Sequence, residues 1–310
     1  MQYNTGVYYI DRNGGVIIDG SRFVNVGDFA NGLAPVHSRS LGSGFINRSG
    51  SLVIGQEFEA TRGFSEEFAA VKIRNWGYID ITGRVVIKDE FDAAYEFSEG
   101  IALTRKGEHL IFLDREGQKT VELSAADVTL EYSGDQKFSE GLIVARHMKA
   151  NLCGFLDKMG DFVIDPKFND ASNFSEGLAR VSIVKDDHRE YLGFIDRRGE
   201  YVIPPTFDID HDFLRSATDF SEDWASIMEG PPTLEKIDPK YVYIDKTGDI
   251  VMRTDFSFAD QFHEGLAAVY SAEKNKWGFI DRSSHLAIPP EFDSLGKFSE
   301  GLAWVLNYGF

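Results

Sequence analysis

The sequence predicts an all-β protein built from eight degenerate repeats. Two short phrases recur eight times in constant order along the 310 residues, and aromatic residues are abundant, with 25 Phe and 12 Tyr. Flat rings pack well on a pleated surface, so this composition favours strands over helices. We expect one domain over residues 1–310, with repeats that start near 6, 41, 74, 108, 151, 191, 240 and 275.

The first phrase is a strand that ends in Ile/Leu-Asp and is followed by two residues, a glycine and a β-branched run. Asp can accept hydrogen bonds from turn amides, and Gly tolerates a positive φ, so the phrase predicts a tight hairpin. Pro204-Pro205 and Pro289-Pro290 are expected to end the second strand, because proline cannot donate to a ladder. The Asp position recurs at Asp11, Asn47, Asp80, Asp114, Asp157, Asp196, Asp245 and Asp281.

The second phrase, Phe-Ser-Glu-Gly-Leu-Ala-x-Val, predicts a turn followed by a strand. Only a tight hairpin fits between Val71 and Trp76, so the last strand of one repeat should pair with the first strand of the next. A short fourth strand within 91–95 would restore the chain direction and let identical units stack. We therefore favour a propeller-like ring, with an open twisted β-solenoid as the alternative. The Phe recurs at Phe29, Phe64, Phe97, Phe138, Phe174, Phe220, Phe262 and Phe298.

Over residues 6–310, this pattern resembles the bacterial WG-repeat proteins, which are called after the Trp-Gly pair that opens the unit. The pair is intact at Trp76-Gly77 and Trp277-Gly278. The resemblance implies a β-repeat scaffold and no shared chemistry. The pair is replaced at Val7-Tyr8, Ser43-Gly44, Ile111-Phe112, Cys153-Gly154, Leu192-Gly193 and Val242-Tyr243.

The net charge indicates which kinds of partner to expect, and the cysteine content indicates the compartment. The formal net charge of −18 disfavours nucleic acid and anionic membrane surfaces, whereas it suits a basic partner. Cys153 is the single cysteine, which fits a reducing compartment. The first residues show no signal peptide, and no apolar run is long enough to span a membrane. We expect a cytoplasmic monomer that binds a protein partner.

The motifs do not predict catalysis, a metal ion or a cofactor. The seven histidines form no metal-binding spacing, and Cys153 occupies a Trp slot, where a small packed side chain is expected. Each turn offers one Asp, commonly followed by Arg or Lys, which opposes calcium binding. The recurring Glu of Ser-Glu-Gly is better explained as structural than as a paired catalytic acid. The strand aromatics Phe155, Phe194, Tyr243 and Phe279 are expected in the core.

Insertions in repeats four to seven offer a candidate binding surface, because extra loops in repeat arrays often decorate a binding face. Neutral drift in tolerant loops is the competing explanation. The insertions also occur at two kinds of junction, which could lie on opposite faces. They are 124–136, 185–191, 208–215 and 228–240. The candidate contact residues are His188, Tyr191, His211, Phe213 and Lys236.

Three classes of function remain open at this point. The first is a non-enzymatic scaffold for protein–protein interaction, in one version an inhibitor or immunity-type protein for a basic partner. The second is a carbohydrate- or cell-surface-binding module that uses exposed aromatic residues. The third is an enzyme whose catalytic residues converge only in space. The absence of catalytic spacing favours the first class.

Overall fold

The structure is a computed structural model that describes residues 6–39, 42–130, 136–209, 217–229 and 240–308. These residues form strands, turns and loops. No helix long and apolar enough to cross a membrane occurs within the described ranges. In chain order the strands are β1 Gly6–Ile10, β2 Val16–Asp19, β3 Asn25–Val26, β4 Leu33–Ser38, β5 Gly42–Asn47, β6 Leu52–Phe58, β7 Ala60–Ser65, β8 Phe68–Lys72, β9 Trp76–Asp80, β10 Val85–Phe91, β11 Ala93–Ala94, β12 Ala102–Lys106, β13 His109–Leu113, β14 Lys119–Ser124, β15 Val128–Thr129, β16 Ile143–His147, β17 Leu152–Leu156, β18 Phe162–Phe168, β19 Asp170–Ala171, β20 Ala179–Val184, β21 Glu190–Ile195, β22 Tyr201–Ile209, β23 Ala225–Met228, β24 Tyr241–Ile244, β25 Ile250–Arg253, β26 Phe258–His263, β27 Leu266–Ser271, β28 Lys276–Asp281, β29 Leu286–Phe292, β30 Ser294–Leu295 and β31 Ala303–Asn307.

The strands form eight sheets, which we call blades 1 to 8. Their strand orders are β3-β4-β5-β6, β7-β8-β9-β10, β11-β12-β13-β14, β15-β16-β17-β18, β19-β20-β21-β22, β23-β24-β25, β26-β27-β28-β29 and β30-β31-β1-β2. Blade 6 has three described strands, and an isolated bridge joins Ala217 to Ile227 beside them. Eight successive sheets of this kind form an eight-bladed β-propeller.

Blade 8 decides between the ring and the open solenoid. It combines β30 and β31 with β1 and β2, so strands from opposite ends of the sequence share one sheet. Strands β1 and β31 pair antiparallel from Gly6↔Asn307 to Ile10↔Ala303. This pairing closes the series of blades, so the propeller-like ring is confirmed and the open solenoid is wrong.

Each sequence repeat spans two blades, because it begins with the third strand of one blade. Strand β8, which ends repeat two, pairs with β9, which opens repeat three, through Val71↔Gly77 and Lys72↔Trp76. The predicted pairing between neighbouring repeats is therefore confirmed. The predicted short fourth strand is also present, as β11 at Ala93–Ala94.

The Asp-x-x-Gly turn joins the third and fourth strands of a blade. In blade 2, the Gly83 N–H donates to the Asp80 carbonyl at 2.9 Å, and Gly83 has φ 85°. The Asp80 carboxylate accepts from the N–H groups of Thr82 at 2.9 Å and Arg84 at 3.1 Å. These bonds hold the pKa of Asp80 below its usual value, with the Thr82 hydroxyl as the largest cause. The predicted turn chemistry is confirmed.

The paired prolines do not end their strands as predicted. Strand β22 continues through Pro204-Pro205, and β29 continues through Pro289-Pro290. Both are the fourth strand of a blade and lie at a sheet edge, where the missing proline N–H costs no ladder hydrogen bond. The pairing of β22 with β21 also shifts register around Gly193, so the prolines lie at a bulge.

That bulge explains the glycine of the Trp-Gly slot. A Cβ atom on Gly193 would lie 2.6 Å from the Ile203 carbonyl oxygen and 2.7 Å from the Pro205 nitrogen. The same clash with fourth-strand backbone occurs at 2.6 Å for Gly77 and at 2.5 Å for Gly154. Glycine is therefore needed where the backbone of the bulged fourth strand approaches the third strand closely.

By packing, the chain divides into two compact units. The first contains residues up to Glu122, Lys274–Phe279 and Leu286 onward, and the second contains Leu123–Glu273 and Ile280–His285. In the first unit, Phe97 and Phe298 are buried, and their ring centroids lie 4.9 Å from that of Tyr78 and 4.8 Å from that of Phe279.

The second unit repeats the same aromatic contact. The rings of Phe155 and Phe174 are 4.9 Å apart, and both residues are buried. Phe194 packs on Phe220 and Tyr243 packs on Phe262 at the same separation. The expected core role of the strand aromatics is confirmed, because each contacts the Phe of the second phrase. Cys153 is also buried, which confirms the packed-side-chain interpretation.

Candidate interaction surface

The turns and loops of each blade lie at two opposite edges, where its strands begin and end. Because neighbouring strands alternate in direction, the first-to-second and third-to-fourth turns lie at one edge, which we call the turn edge. The second-to-third hairpins and the connections to the next blade lie at the opposite edge, the loop edge. In blade 5, the register Val184↔Glu190 and Glu190↔Ile209 shows the hairpin lying beside the end of β22.

Serine hydroxyls of the second phrase connect successive blades at the turn edge. In the first unit, Ser65 donates to the Phe97 carbonyl at 2.6 Å, and Ser299 donates to that of Phe29 at 2.7 Å. Within the second unit, three bonds of the same kind run from Ser139 to Phe174, from Ser175 to Phe220 and from Ser221 to Phe262. The serine therefore has a structural role, which explains why it recurs in six of the eight repeats.

The glutamates of the phrase make a second set of bonds between blades. The Gly100 N–H donates to Glu66 at 2.9 Å, and the Gly177 N–H donates to Glu140 at 2.8 Å. Glu66 also pairs with Arg115 at 2.9 Å. Burial opposes ionisation of Glu66, but the bonds from Arg115 and Gly100 prevail and hold its pKa below the usual range. The structural interpretation of these acids is thereby supported by their contacts.

Arg115 belongs to a set of cations that directly follow the turn Asp. Lys246 pairs with Glu176 at 3.1 Å, and Arg282 donates to the Glu222 carbonyl at 2.8 Å. Sequence reasoning used these cations only as an argument against calcium and missed their partners. The signal was present, since a cation after Asp recurs as regularly as the Glu that it contacts. No group of three metal-ligating side chains occurs in the part of the chain that the structure describes.

The loop edge of blade 5, in the second unit, carries two of the predicted contact residues. His188 is exposed with φ 61°, and its N–H donates to the Lys185 carbonyl at 2.9 Å. Tyr191 is a half-buried residue of β21 rather than of the loop, and its hydroxyl donates to Asp187 at 2.7 Å. The Lys185 ammonium lies 4.0 Å from the Tyr191 ring centroid. These contacts join side chains of the hairpin to one another.

The other three predicted contact residues, His211, Phe213 and Lys236, lie outside the described residues. The strands that flank their segments are described. Strand β22 ends at Ile209, next to Glu190. Strand β23 pairs with β24 through Met228↔Tyr241, and the Glu229 N–H donates to the Lys240 carbonyl at 2.7 Å. Within the described residues, β22 ends at a loop edge and β23 and β24 meet at a loop edge.

Buried charges join neighbouring blades of the second unit. The Arg146 guanidinium pairs with Asp170 at 2.9 Å, and Arg180 pairs with Asp219 at 3.4 Å, so blade 4 is joined to blade 5 and blade 5 to blade 6. Arg180 also donates to the Ala217 carbonyl. Burial lowers the pKa of Arg180 and raises that of Asp170, against the attraction of their partners. Sequence reasoning did not find these pairs.

The fold and the turn-edge contacts define a repeat β-propeller whose blades are joined through one recurring phrase. The chain belongs to the family described as WG containing repeat, which matches residues 9–36, 44–75, 76–108, 154–183, 193–230, 243–274 and 277–309. The longest unmatched stretch, 109–153, covers the repeat in which Ile111-Phe112 replaces Trp-Gly. No curated protein matches the sequence.

Solved structures that are similar in fold include a designed protein and a natural one. The computationally designed Ika8 protein shares 13% sequence identity at a TM-score of 0.53, over 83% of this chain and 84% of its own. A eukaryotic initiation factor shares 12% identity at a TM-score of 0.55, over 90% of this chain and 80% of its own. At such identities the likeness concerns the fold alone.

Proposed function

We propose that the protein is a non-enzymatic scaffold that binds a partner protein through its loop edge. The repeat propeller fold fits such a role. The observation that carries the proposal is the contrast within one blade, where turn-edge side chains bond to neighbouring blades while loop-edge side chains of the Lys185–Arg189 hairpin are exposed. A rigid scaffold under a variable loop is the usual design of a recognition surface.

The hairpin of blade 5 supports this proposal with a suitable mixture of groups. Tyr191 presents a ring with a polar tip, which suits contact surfaces. Lys185 and Arg189 add cations, of which Arg189 pairs with Asp208 at 2.9 Å. Because these groups are already ordered by mutual contacts, little conformational freedom would be lost on binding.

A finer version of the proposal is an inhibitor or immunity-type role against a basic protein. Its support is the formal net charge of −18. Opposite charge accelerates association, and salt screens it. If the partner is basic, its association rate should fall several-fold, by about one order of magnitude at most, between low and physiological salt.

The test compares two edges of the same blade. The loop-edge variant His188→Gly/Tyr191→Thr keeps the positive φ and the strand while removing both rings. The control Tyr201→Thr makes the same tyrosine change near the turn edge, where Tyr201 is 42% exposed. Wild type and control should capture the same partner from a lysate of the native source, and the loop-edge variant should lose it.

Binding is then measured with the purified partner. We expect the loop-edge variant to bind at least about tenfold more weakly, a difference of about 1.4 kcal/mol, with an unchanged melting temperature. Equal affinity of all three proteins would reject this surface as the binding site. Equal loss in both variants would point to a general effect on the blade instead.

A further inference from the structure

A groove opens at the loop edge of blade 1, in the first unit, with a volume of about 330 Å³. Its lining includes Pro35 and Val36, together with the polar residues His37, Ser43 and Glu59. The His37 Nδ1 atom lies 2.9 Å from the Ser43 hydroxyl, which also donates to the Glu59 carbonyl at 3.4 Å. A volume near 300 Å³ is at the lower end of the range for small-molecule pockets.

Ser43 occupies the Trp slot of its repeat. In blade 1 the register is Val36↔Gly44 and His37↔Ser43, and in blade 2 it is Val71↔Gly77 and Lys72↔Trp76. Ser43 and Trp76 therefore hold the same position on the same backbone frame. In blade 2 the Trp76 side chain is half-buried and packs against the blade core.

Blades 1 and 2 also carry different residues at a second position near this slot. In blade 2, the Arg62 guanidinium lies 5.4 Å from the Trp76 ring centroid and 4.7 Å from that of Tyr95. Its Nε–H donates to the Ala94 carbonyl at 2.8 Å. Arg62 directly follows Ala60 and Thr61 of β7. These two residues pair with β8 in blade 2 in the same register as Asn25 and Val26 of β3 pair with β4 in blade 1.

By that register, blade 1 has Gly27 where blade 2 has Arg62. A Cβ atom on Gly27 would lie 2.7 Å from the Pro35 Cγ atom, so Pro35 disfavours any larger residue there. Blade 1 thus lacks both the indole and the guanidinium that fill the equivalent space in blade 2. The groove is lined by both positions, Gly27 and Ser43, at which these groups are missing.

We propose that this groove binds a flat aromatic ring of indole size. The equivalent site in blade 2 shows that the frame accommodates an indole, and Pro35 and Val36 offer apolar contacts to a ring face. The hydroxyl of Ser43 and the carboxylate of Glu59 are acceptors that suit a ring N–H. The Glu59 carboxylate also accepts a hydrogen bond from Lys72 at 2.8 Å. The proposal does not depend on the scaffold function.

The test uses free indole and N-acetyltryptophanamide as probes, with amide chemical shifts of the ¹⁵N-labelled full chain as the readout. Both probes should shift residues of the groove in a saturable manner. Tighter binding of N-acetyltryptophanamide than of indole indicates that the natural ligand is a ring carried by a peptide. Equal or weaker binding indicates a free ring. Either result confirms the site. Absence of saturable groove shifts with both probes at millimolar concentration would overturn the proposal.

Variants test whether the binding occurs in the groove. Ser43→Trp should fill it with the side chain found in blade 2 and abolish the shifts. Ser43→Leu, which copies Leu192 in the same slot of a later repeat, is a smaller change and should weaken binding at least about tenfold. Ser49→Trp is the matched control, since exposed Ser49 lies in the turn of the same blade at the opposite edge. Undiminished binding by a folded Ser43→Trp or Ser43→Leu variant would contradict the assignment.

Discussion

The two edges of a blade differ in what their side chains contact. At the turn edge, Ser139 and Glu140 both bond to the following blade, and other repeats use their Ser and Glu in the same way. At the loop edge of blade 5, Lys185 and Tyr191 contact only their own hairpin in the described interactions. Contact with a neighbouring blade constrains residue identity, so the turn edge stays recognisable in sequence, whereas the loop-edge hairpin of blade 5 is free to diverge.

The largest effect should come from the ring that anchors the turn edge. Phe174 is 1% exposed and packs on Phe155, so Phe174→Ala leaves a cavity and should lower the free energy of unfolding by about 3–5 kcal/mol. Val163→Ala, at a 52% exposed position of β18, is the control and should change it by less than about 0.5 kcal/mol. Urea denaturation measures both, and similar values would contradict the anchoring role.

A second prediction concerns the slot glycine. Gly154→Ala places a Cβ atom 2.5 Å from the Ile164 carbonyl oxygen, so backbone must shift, and the free energy of unfolding should fall by about 1–3 kcal/mol. Gly55 lies in β6 with no atom within 4 Å of an added Cβ, so Gly55→Ala should be neutral or slightly stabilising. Thermal melts compare the two. A stable Gly154→Ala protein would mean that the crossing strand is not closely packed.

The glutamate bonds between blades should appear in the pH dependence of stability. Glu66→Gln weakens the bond to Gly100 and the pair with Arg115, and should cost about 1 kcal/mol at neutral pH. Because the folded-state pKa of Glu66 is lowered, its contribution is complete above the unfolded value near 4.3 and is lost as the pH falls through the folded value.

Denaturation of both proteins from pH 7 to pH 3 measures that loss. The difference in stability between wild type and Glu66→Gln should be constant above about pH 5 and shrink below about pH 4. Glu67→Gln, at the exposed neighbouring position, should show a much smaller difference at every pH. A difference that stays constant to pH 3 would exclude the carboxylate as its source.

The smallest effect is expected at the loop edge. His188→Gly removes an exposed side chain at φ 61°, a conformation that glycine adopts without strain, so the change should lie within about 0.5 kcal/mol of wild type. Differential scanning calorimetry can measure it. Destabilisation on the scale of Phe174→Ala would mean that the hairpin supports the blade, and the contrast between the edges would fail.

Local patterns predicted much of this fold because the repeats present the same signal many times. The turn at Asp80 and the buried Phe97 follow from residue types in one phrase. The reason for Gly154 did not, because the crossing strand that requires it comes from a register shift between β17 and β18. Prolines within β22 were misjudged for a related reason, since sequence does not reveal that the strand lies at a sheet edge.

The buried arginines illustrate a different limit. Arg180 stands at the variable position of Leu-Ala-x-Val, where other repeats have Ala70 or Ala268, and a cation inside a predicted strand is a visible signal. Its partner, Asp219, is distant in sequence and becomes a neighbour only through the packing of two blades. Likewise, a serine in a Trp slot is visible in sequence, but the groove beside Ser43 depends on Gly27 as well, which only the strand register relates to it.

The pairing of β1 with β31 has a consequence for the order of events during synthesis. Strand β1 leaves the ribosome well before its partner at 303–307, which is made almost 300 residues later. At about 5–20 residues per second, the wait lasts on the order of 15–60 s. During that time the far side of β1 lacks its native hydrogen-bonding partner, and an incomplete strand of this kind is open to wrong pairing. Nascent chains halted before residue 303 should therefore be more sensitive to protease at β1 than released ones.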